Sequence, residues 1–128
     1  MYVLDTCALI WGSIEPGLLS SKAQEAFRKI EQHGAFISSI SIWEIGIKIK
    51  RNKLNIGTSI EDFTLRIKRR TNIEIVPVDE TIWLENLSLD WKHKDPADRT
   101  IVATARLKNL PIITNDENIT RFYKKIVW

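Results

Sequence analysis

Apolar positions in this chain fall into short continuous runs separated by stretches with helical spacing. Tyr2-Val3-Leu4, Ala35 to Ser39, Ile73 to Val78 and Pro111 to Thr114 are too short for helices and have the composition of strands. Between the first two runs, Cys7 to Trp11 reads as a short apolar helix and Gly12 to Gly17 as a loop. Ser20 or Ser21 then opens a helix that carries Ala23, Ala26, Phe27 and Ile30 inward and ends at Gly34. Ser59 caps a helix carrying Phe63, Leu65 and Ile67, and Asp79 caps one carrying Ile82, Trp83 and Leu87. The stretch after the second run fits two periods. Ile45, Ile47 and Ile49 alternate as in a strand, whereas Ile42, Ile45 and Ile49 are spaced as on a helix. Ser41-Ile42-Trp43-Glu44 has the form of a capping box, which favours the helix and gives Glu44 the structural task of reaching back to the cap amide.

The segment from Lys94 to Asp116 organises the rest. Asp95 suits a helix cap, Pro96 the first helical position, and Asp98 lies three residues past the cap. Ile101, Val102 and Ala105 follow Asp98 at helical spacing, so a carboxylate shares the inward stripe at the start of that helix. The apolar run Pro111 to Thr114 suits a strand buried on both faces, and it delivers Asn115-Asp116 at its carboxyl end. A short helix over Asn118 to Tyr123 and an edge strand at Lys125 to Val127 complete the chain. Strands alternating with helices imply an α/β fold, a three-layer α/β/α domain around a mostly parallel sheet, with residues 1–128 as one domain.

Composition narrows the setting. With 128 residues and one cysteine, Cys7, the chain has no internal disulfide framework and fits a reducing compartment. Asp5 interrupts the N-terminal apolar run and no basic region precedes it, so a cleaved signal peptide is not expected; no stretch approaches membrane-spanning length. A soluble, cytoplasmic protein is the expectation. The formal charge is +3, and Lys48, Lys50, Arg51 and Lys53, then Arg66, Lys68, Arg69 and Arg70, form two basic clusters that permit contact with a polyanion without establishing it.

Asp5, Asp98 and Asp116 each fall at the carboxyl end of a strand or the start of a helix, and Glu44 falls in the helix after the second strand. Each alone reads as a cap, but four acidic caps toward one sheet edge are not expected from capping alone. Two carboxylates 4 Å apart repel by about 4 kcal/mol at an effective dielectric near 20, so a cluster must take up protons or cations. Oxygen ligands with room for water suit Mg²⁺ or Mn²⁺, ions that activate water and steady a leaving alkoxide in phosphodiester cleavage. Rival chemistries are weaker. Cys7 has no assignable histidine partner, and His33 and His93 are in no metal-ligand spacing. His33 reads as a surface residue near a helix end and His93 as a neighbour of the acids; a glycine-rich phosphate loop is absent.

Four segments carry a resemblance: Tyr2 to Trp11, Ser41 to Ile45, His93-Lys94-Asp95-Pro96-Ala97-Asp98-Arg99, and Ile112 to Asp116. In this order the chain resembles PIN-domain nucleases, and most closely the VapC toxins of toxin–antitoxin pairs. The resemblance implies a metal-dependent endoribonuclease in which Asp5, Glu44, Asp98 and Asp116 hold Mg²⁺ or Mn²⁺. It makes Asp95 either a helix cap or an outer ligand, and places Thr6 beside the first acid as a supporting group. Arg99 would orient a carboxylate or meet phosphate, and Thr114 and Asn115, beside the last acid, would support the ligands or meet the substrate. RNA as substrate, a separately encoded antitoxin and a homodimer are also implied. Two other readings remain. A receiver-type phosphoacceptor domain would use Asp79 as the acceptor, although Asp5 lacks the second acid that such a site needs. A catalytically silent RNA-binding module would use the basic clusters with Trp43 or Trp91 as stacking surfaces, most of the five tryptophans being core or interface residues.

Overall fold

A computed structural model of the chain describes residues 1–128. Its strands are β1 (Tyr2–Leu4), β2 (Ala35–Ser38), β3 (Ile73–Val76), β4 (Ile112–Ile113) and β5 (Ile126–Val127), in the order β3-β2-β1-β4-β5. Every neighbouring pair is parallel, so the expected α/β architecture is present with a wholly parallel sheet. The helices are α1 (Thr6–Ile14), α2 (Ser21–His33), α3 (Ser39–Lys50), α4 (Ile60–Arg69), α5 (Glu80–Ser88), α6 (Pro96–Lys108) and α7 (Glu117–Phe122). None is long and apolar enough to cross a membrane.

The strands have period two and feed two cores. Leu4, Ile37 and Ile113 enter one, with Leu9, Ala23, Ala26, Ile30, Ile45, Phe63 and Ile67 from α1 to α4. Val3 and Ile112 enter the other, with Ile82, Ile101, Val102, Ala105 and Ile119 from α5, α6 and α7. This is why the strands read as unbroken apolar runs: both faces are covered. Register then fixes the functional edge. Leu4 pairs with Ile37 on one side and Ile113 on the other, which aligns the next residues, Ser38, Asp5 and Thr114, as a row across the carboxyl edge. The chain steps outward from β1 through β2 to β3 and returns to the other side of β1 as β4, so β1 and β4 flank the point where the winding reverses. Open parallel sheets bind ligands outside such a point.

Two expectations need correction. Gly12 lies within α1, not in a loop; a Cβ there would come within 2.2 Å of Phe27 Cε1, so α1 passes α2 too closely for a side chain. Leu65 of α4 points to solvent, as do Trp83 and Leu87 of α5, while Ile82 and the polar Asn86 face inward. Three of the five tryptophans, Trp11, Trp91 and Trp128, pack against the two cores, as expected of most of them, although none is fully buried. Trp11 leans on Trp128 and Trp91 stacks on Phe122 at 4.6 Å, but Trp43 and Trp83 are exposed.

Candidate functional site

Four separated segments meet at the edge built by Ser38, Asp5 and Thr114. Asp5 ends β1, and burial leaves it 4 % exposed. The Thr6 amide donates to its Oδ1 at 2.7 Å, and the Thr114 hydroxyl donates to its Oδ2 at 2.6 Å across 109 positions of sequence. Thr114 in turn accepts from the Asp116 amide at 3.0 Å, so the first and last acids are tied by one hydroxyl. The Cys7 thiol donates to Asp5 Oδ2 at 3.2 Å and lies 3.5 Å from Asn115 Oδ1. Burial, and then the neighbouring Asp5 carboxylate, push the Cys7 pKa up, which leaves it a protonated donor and a poor nucleophile.

The third segment is the Asp95–Asp98 turn. Asp95 caps α6 through the Asp98 amide at 3.0 Å and Pro96 sits in the first turn, as the spacing predicts. The Asp98 Oδ2 is 2.7 Å from His93 Nε2, which puts His93 in the neighbour's place expected of it. Asp116 caps α7 through the Ile119 amide at 3.0 Å. Asp5, Asp95 and Asp116 thus stand at the starts of α1, α6 and α7, three helix N-termini turned toward one edge, where partial positive charge favours anions.

Glu44 arrives differently from the expected capping box. Helix α3 begins at Ser39 directly after β2, and Ser38 caps it through the Ile40 amide. Ser41 is fully buried, its hydroxyl 2.9 Å from that of Thr6, so it links α3 to α1 and caps nothing. Glu44 is therefore an interior residue of α3, freed from backbone duty and held beside Thr6. Nothing in the sequence distinguishes this Ser41 from a capping serine; only the absence of a loop after β2 does.

The acids feel one another. Desolvation raises the Asp98 pKa to about 7, opposed by the bond to His93 and reinforced by Asp95, Asp5 and Asp116. The Asp5 pKa is raised by burial against its three hydrogen bonds, with Asp116 adding repulsion. For Glu44 burial again raises the value; the Thr6 hydroxyl and Lys48 oppose it, and Asp95 and Asp5 add to it. All five predicted acids therefore share one electrostatic field. With the side chains as they stand, no three acidic, histidine or cysteine groups close to metal-holding distance. The donor set still fits a hard divalent cation: capping occupies Oδ1 of Asp95 and Asp116, and the His93 contact Oδ2 of Asp98, so each keeps a second oxygen.

Arg99 is the residue that the sequence misplaces. It bonds no carboxylate, and its N–H groups are engaged within the fold and not turned out toward a phosphate. Its Nε donates to Asn86 Oδ1, and its two Nη atoms donate to the backbone carbonyls of Asn86, Leu89, Trp91 and His93, at 2.6 to 3.3 Å. Asn86 Nδ2 donates to Thr100 Oγ1, closing the network onto α6. This fork holds the connection that positions His93. Replacing Arg99 with alanine strips these carbonyls of a charged partner, with an expected loss of roughly 2–4 kcal/mol in denaturant titrations. Lysine cannot supply the planar fork and recovers only part of it; an Arg99→Ala variant as stable as wild type would contradict this role.

The sequence matches the PIN domain family model over residues 2–125. The chain belongs to the PIN domain family. A search of curated proteins finds no match, but solved structures carry the same fold. A toxin–antitoxin complex from Klebsiella pneumoniae contains a chain 21 % identical, superposing with a TM-score of 0.69 over 100 % of this chain and 97 % of that one. VapBC2 from Rickettsia felis, solved with a DNA fragment from its promoter, gives 17 % identity and a TM-score of 0.67 over 98 % and 95 %. VapC20 from Mycobacterium tuberculosis, a toxin cleaving the sarcin–ricin loop, gives 16 % and 0.64 over 94 % of each chain. In this PIN domain the match takes in all four acid-bearing segments.

Proposed function

We propose that this PIN domain is an endoribonuclease dependent on Mg²⁺ or Mn²⁺, acting as the toxin of a VapBC-type pair. One observation carries the reading: acids from four distant segments share a single field at the carboxyl edge of a parallel sheet, beside its reversal point. Asp5, Glu44, Asp98 and Asp116, with Asp95 alongside, would hold the cation, which supplies water activation and charge stabilisation at the leaving oxygen. The chain's own groups prepare that place. Thr6 and Thr114 fix the Asp5 carboxylate, His93 fixes that of Asp98, and the amides opening α1, α6 and α7 favour the negative charge gathered there. Asn115, exposed beside Asp116, is free to meet the substrate.

Purified protein is expected to cut total RNA with Mg²⁺ or Mn²⁺, to stop with chelator, and to resume when the ion is restored. Cleavage that persists in chelator contradicts the reading. The receiver alternative loses ground on topology. Asp79 follows β3, an edge strand separated from β1 by β2, and its carboxylate caps α5 through the Ile82 amide at 3.0 Å. Acceptor and Asp5 are thus not on neighbouring strands.

An antitoxin and a second copy of the chain are the partners this function calls for, in keeping with the toxin–antitoxin complexes among the similar structures. The exposed stripe of Trp83, Leu84 and Leu87 along α5 supports a protein contact, since such side chains are costly to leave in water. Light scattering of the isolated chain should give the mass of a dimer; a monomer at all concentrations would remove the homodimer from this reading.

A further inference from the structure

One face of α3 extends the acid site into a groove of different character. Trp43 and Ile47 are one turn apart, and Glu44, Lys48 and Arg51 follow one another at four and three residues, so the two rows run side by side. Lys53, just past the helix, joins them, and Asp95 to Ala97 at the start of α6 form the opposite wall, enclosing about 310 Å³. The groove has a direction. Glu44 and Asp95 belong to the acid site at one end, and Lys48, Arg51 and Lys53 lead away from it over roughly 10 Å of helix.

None of those three cations is in a salt bridge, and Trp43 is 60 % exposed, with no aromatic partner. The other exposed tryptophan, Trp83, stands on α5, which carries no lysine or arginine. A larger cleft of about 500 Å³ beside β5 offers one cation, Arg121, already paired with Glu117 at 3.4 Å. An open indole face beside unpaired cations matches the chemistry of single-stranded nucleic acid: bases stack on the ring and phosphates meet the charges.

We propose that this groove takes an unpaired nucleotide of the RNA next to the phosphate that is cut, its base on Trp43 and its phosphates on Lys48, Arg51 and Lys53. The proposal rests on the nuclease reading and adds to it a demand for local single strand. A paired base keeps its faces inside the duplex and cannot cover the indole.

The test uses a fluorescein-labelled single-stranded oligoribonucleotide and the same sequence closed into a hairpin stem. Binding is followed by anisotropy across a salt series in the Asp5→Asn background and in chelator, which together suppress cleavage over the measurement. Trp43→Ala is expected to weaken single-strand binding roughly ten-fold with the salt slope unchanged. Combining Lys48→Ala, Arg51→Ala and Lys53→Ala should reduce that slope by about 2. Trp83→Ala should do neither, and the hairpin should respond little to Trp43→Ala. Trp43→Leu, which keeps apolar bulk without an aromatic face, should behave as Trp43→Ala. Equal binding by the Trp43 variants and their parent overturns the proposal, as does an equal loss from Trp83→Ala.

Cleavage with Asp5 intact separates the two levels. If the unaltered chain cuts RNA and the groove variants cut with the same KM, the groove inference fails alone. Should the unaltered chain cut nothing while the groove variants still lose binding, the groove stands and the nuclease reading falls.

Discussion

Asp5→Asn should leave the chain folded and lower RNA cleavage by on the order of 10²–10³-fold or more. The substitution removes one negative charge and almost no volume, at the residue most firmly fixed in the site. Asp5 Oδ2 accepts from Thr114 and Cys7 while Oδ1 accepts from the Thr6 amide. An amide oxygen can keep only one of these two sides. Thr114 donates its proton to the Asp5 carboxylate and accepts from the Asp116 amide, so an amide nitrogen placed opposite it would require that hydroxyl to turn away. The expected structural cost is therefore about one hydrogen bond, roughly 1 kcal/mol, set against relief from burying a carboxylate. A cleavage assay read beside a melting curve separates the two effects. Undiminished cleavage by a folded Asp5→Asn protein would remove Asp5 from the site.

The metal-free protein should be less stable at pH 8 than at pH 5, and Asp98→Asn should abolish much of that difference. Asp98, Asp5 and Glu44 all have pKa values raised in the folded chain, that of Asp98 to about 7. Between the unfolded carboxyl range near 4 and that raised value, the folded state binds more protons than the unfolded one. Stability is then full below about pH 4 as far as these groups decide, and falls as pH rises through about 7. Asp98 alone contributes a loss of roughly 2–4 kcal/mol, its side chain being only 16 % exposed. In chelator at pH 8, Asp98→Asn should melt roughly 5–10 °C above wild type. Mn²⁺ should raise the wild-type Tm and leave that of the variant nearly unchanged. A wild-type Tm that climbs from pH 5 to pH 8 in chelator would contradict the assigned repulsion.

The sequence foretells those parts whose causes are local. The individual strands and the Asp95-Pro96-Ala97-Asp98 start of α6 depend on residues a few positions apart and form as the spacing predicts, and the alternation of strands with helices carries the parallel sense of the sheet. Capping and membership of the site look like alternatives in the sequence. In the structure they coexist, since a capping carboxylate gives one oxygen to an amide and keeps another. Glu44 shows where local patterning misleads: Ser41 and Glu44 satisfy the capping-box spacing, but α3 starts two residues before Ser41 and the Ser41 hydroxyl meets Thr6 instead. The inward face of α5 misleads likewise. It carries Asn86, which a hydrophobicity pattern places outside, because Arg99 needs an acceptor there. With Asn86 inward, Trp83 and Leu87 face outward, and the partner that satisfies Asn86 is 13 positions away.

The most direct measurement is a Mn²⁺ titration of the purified chain, followed by calorimetry and by the electron paramagnetic resonance signal of free ion. Wild type should bind, and Asp5→Asn, Asp98→Asn and Asp116→Asn, each still folded, should each weaken binding at least ten-fold. Loss in all three would place carboxylates from three separate stretches of chain around the same ion. Binding untouched by any one of them, or no binding by a folded wild type at millimolar Mn²⁺, would contradict the shared site and leave Asp5 and Asp116 as caps of their helices and Asp98 as the partner of His93.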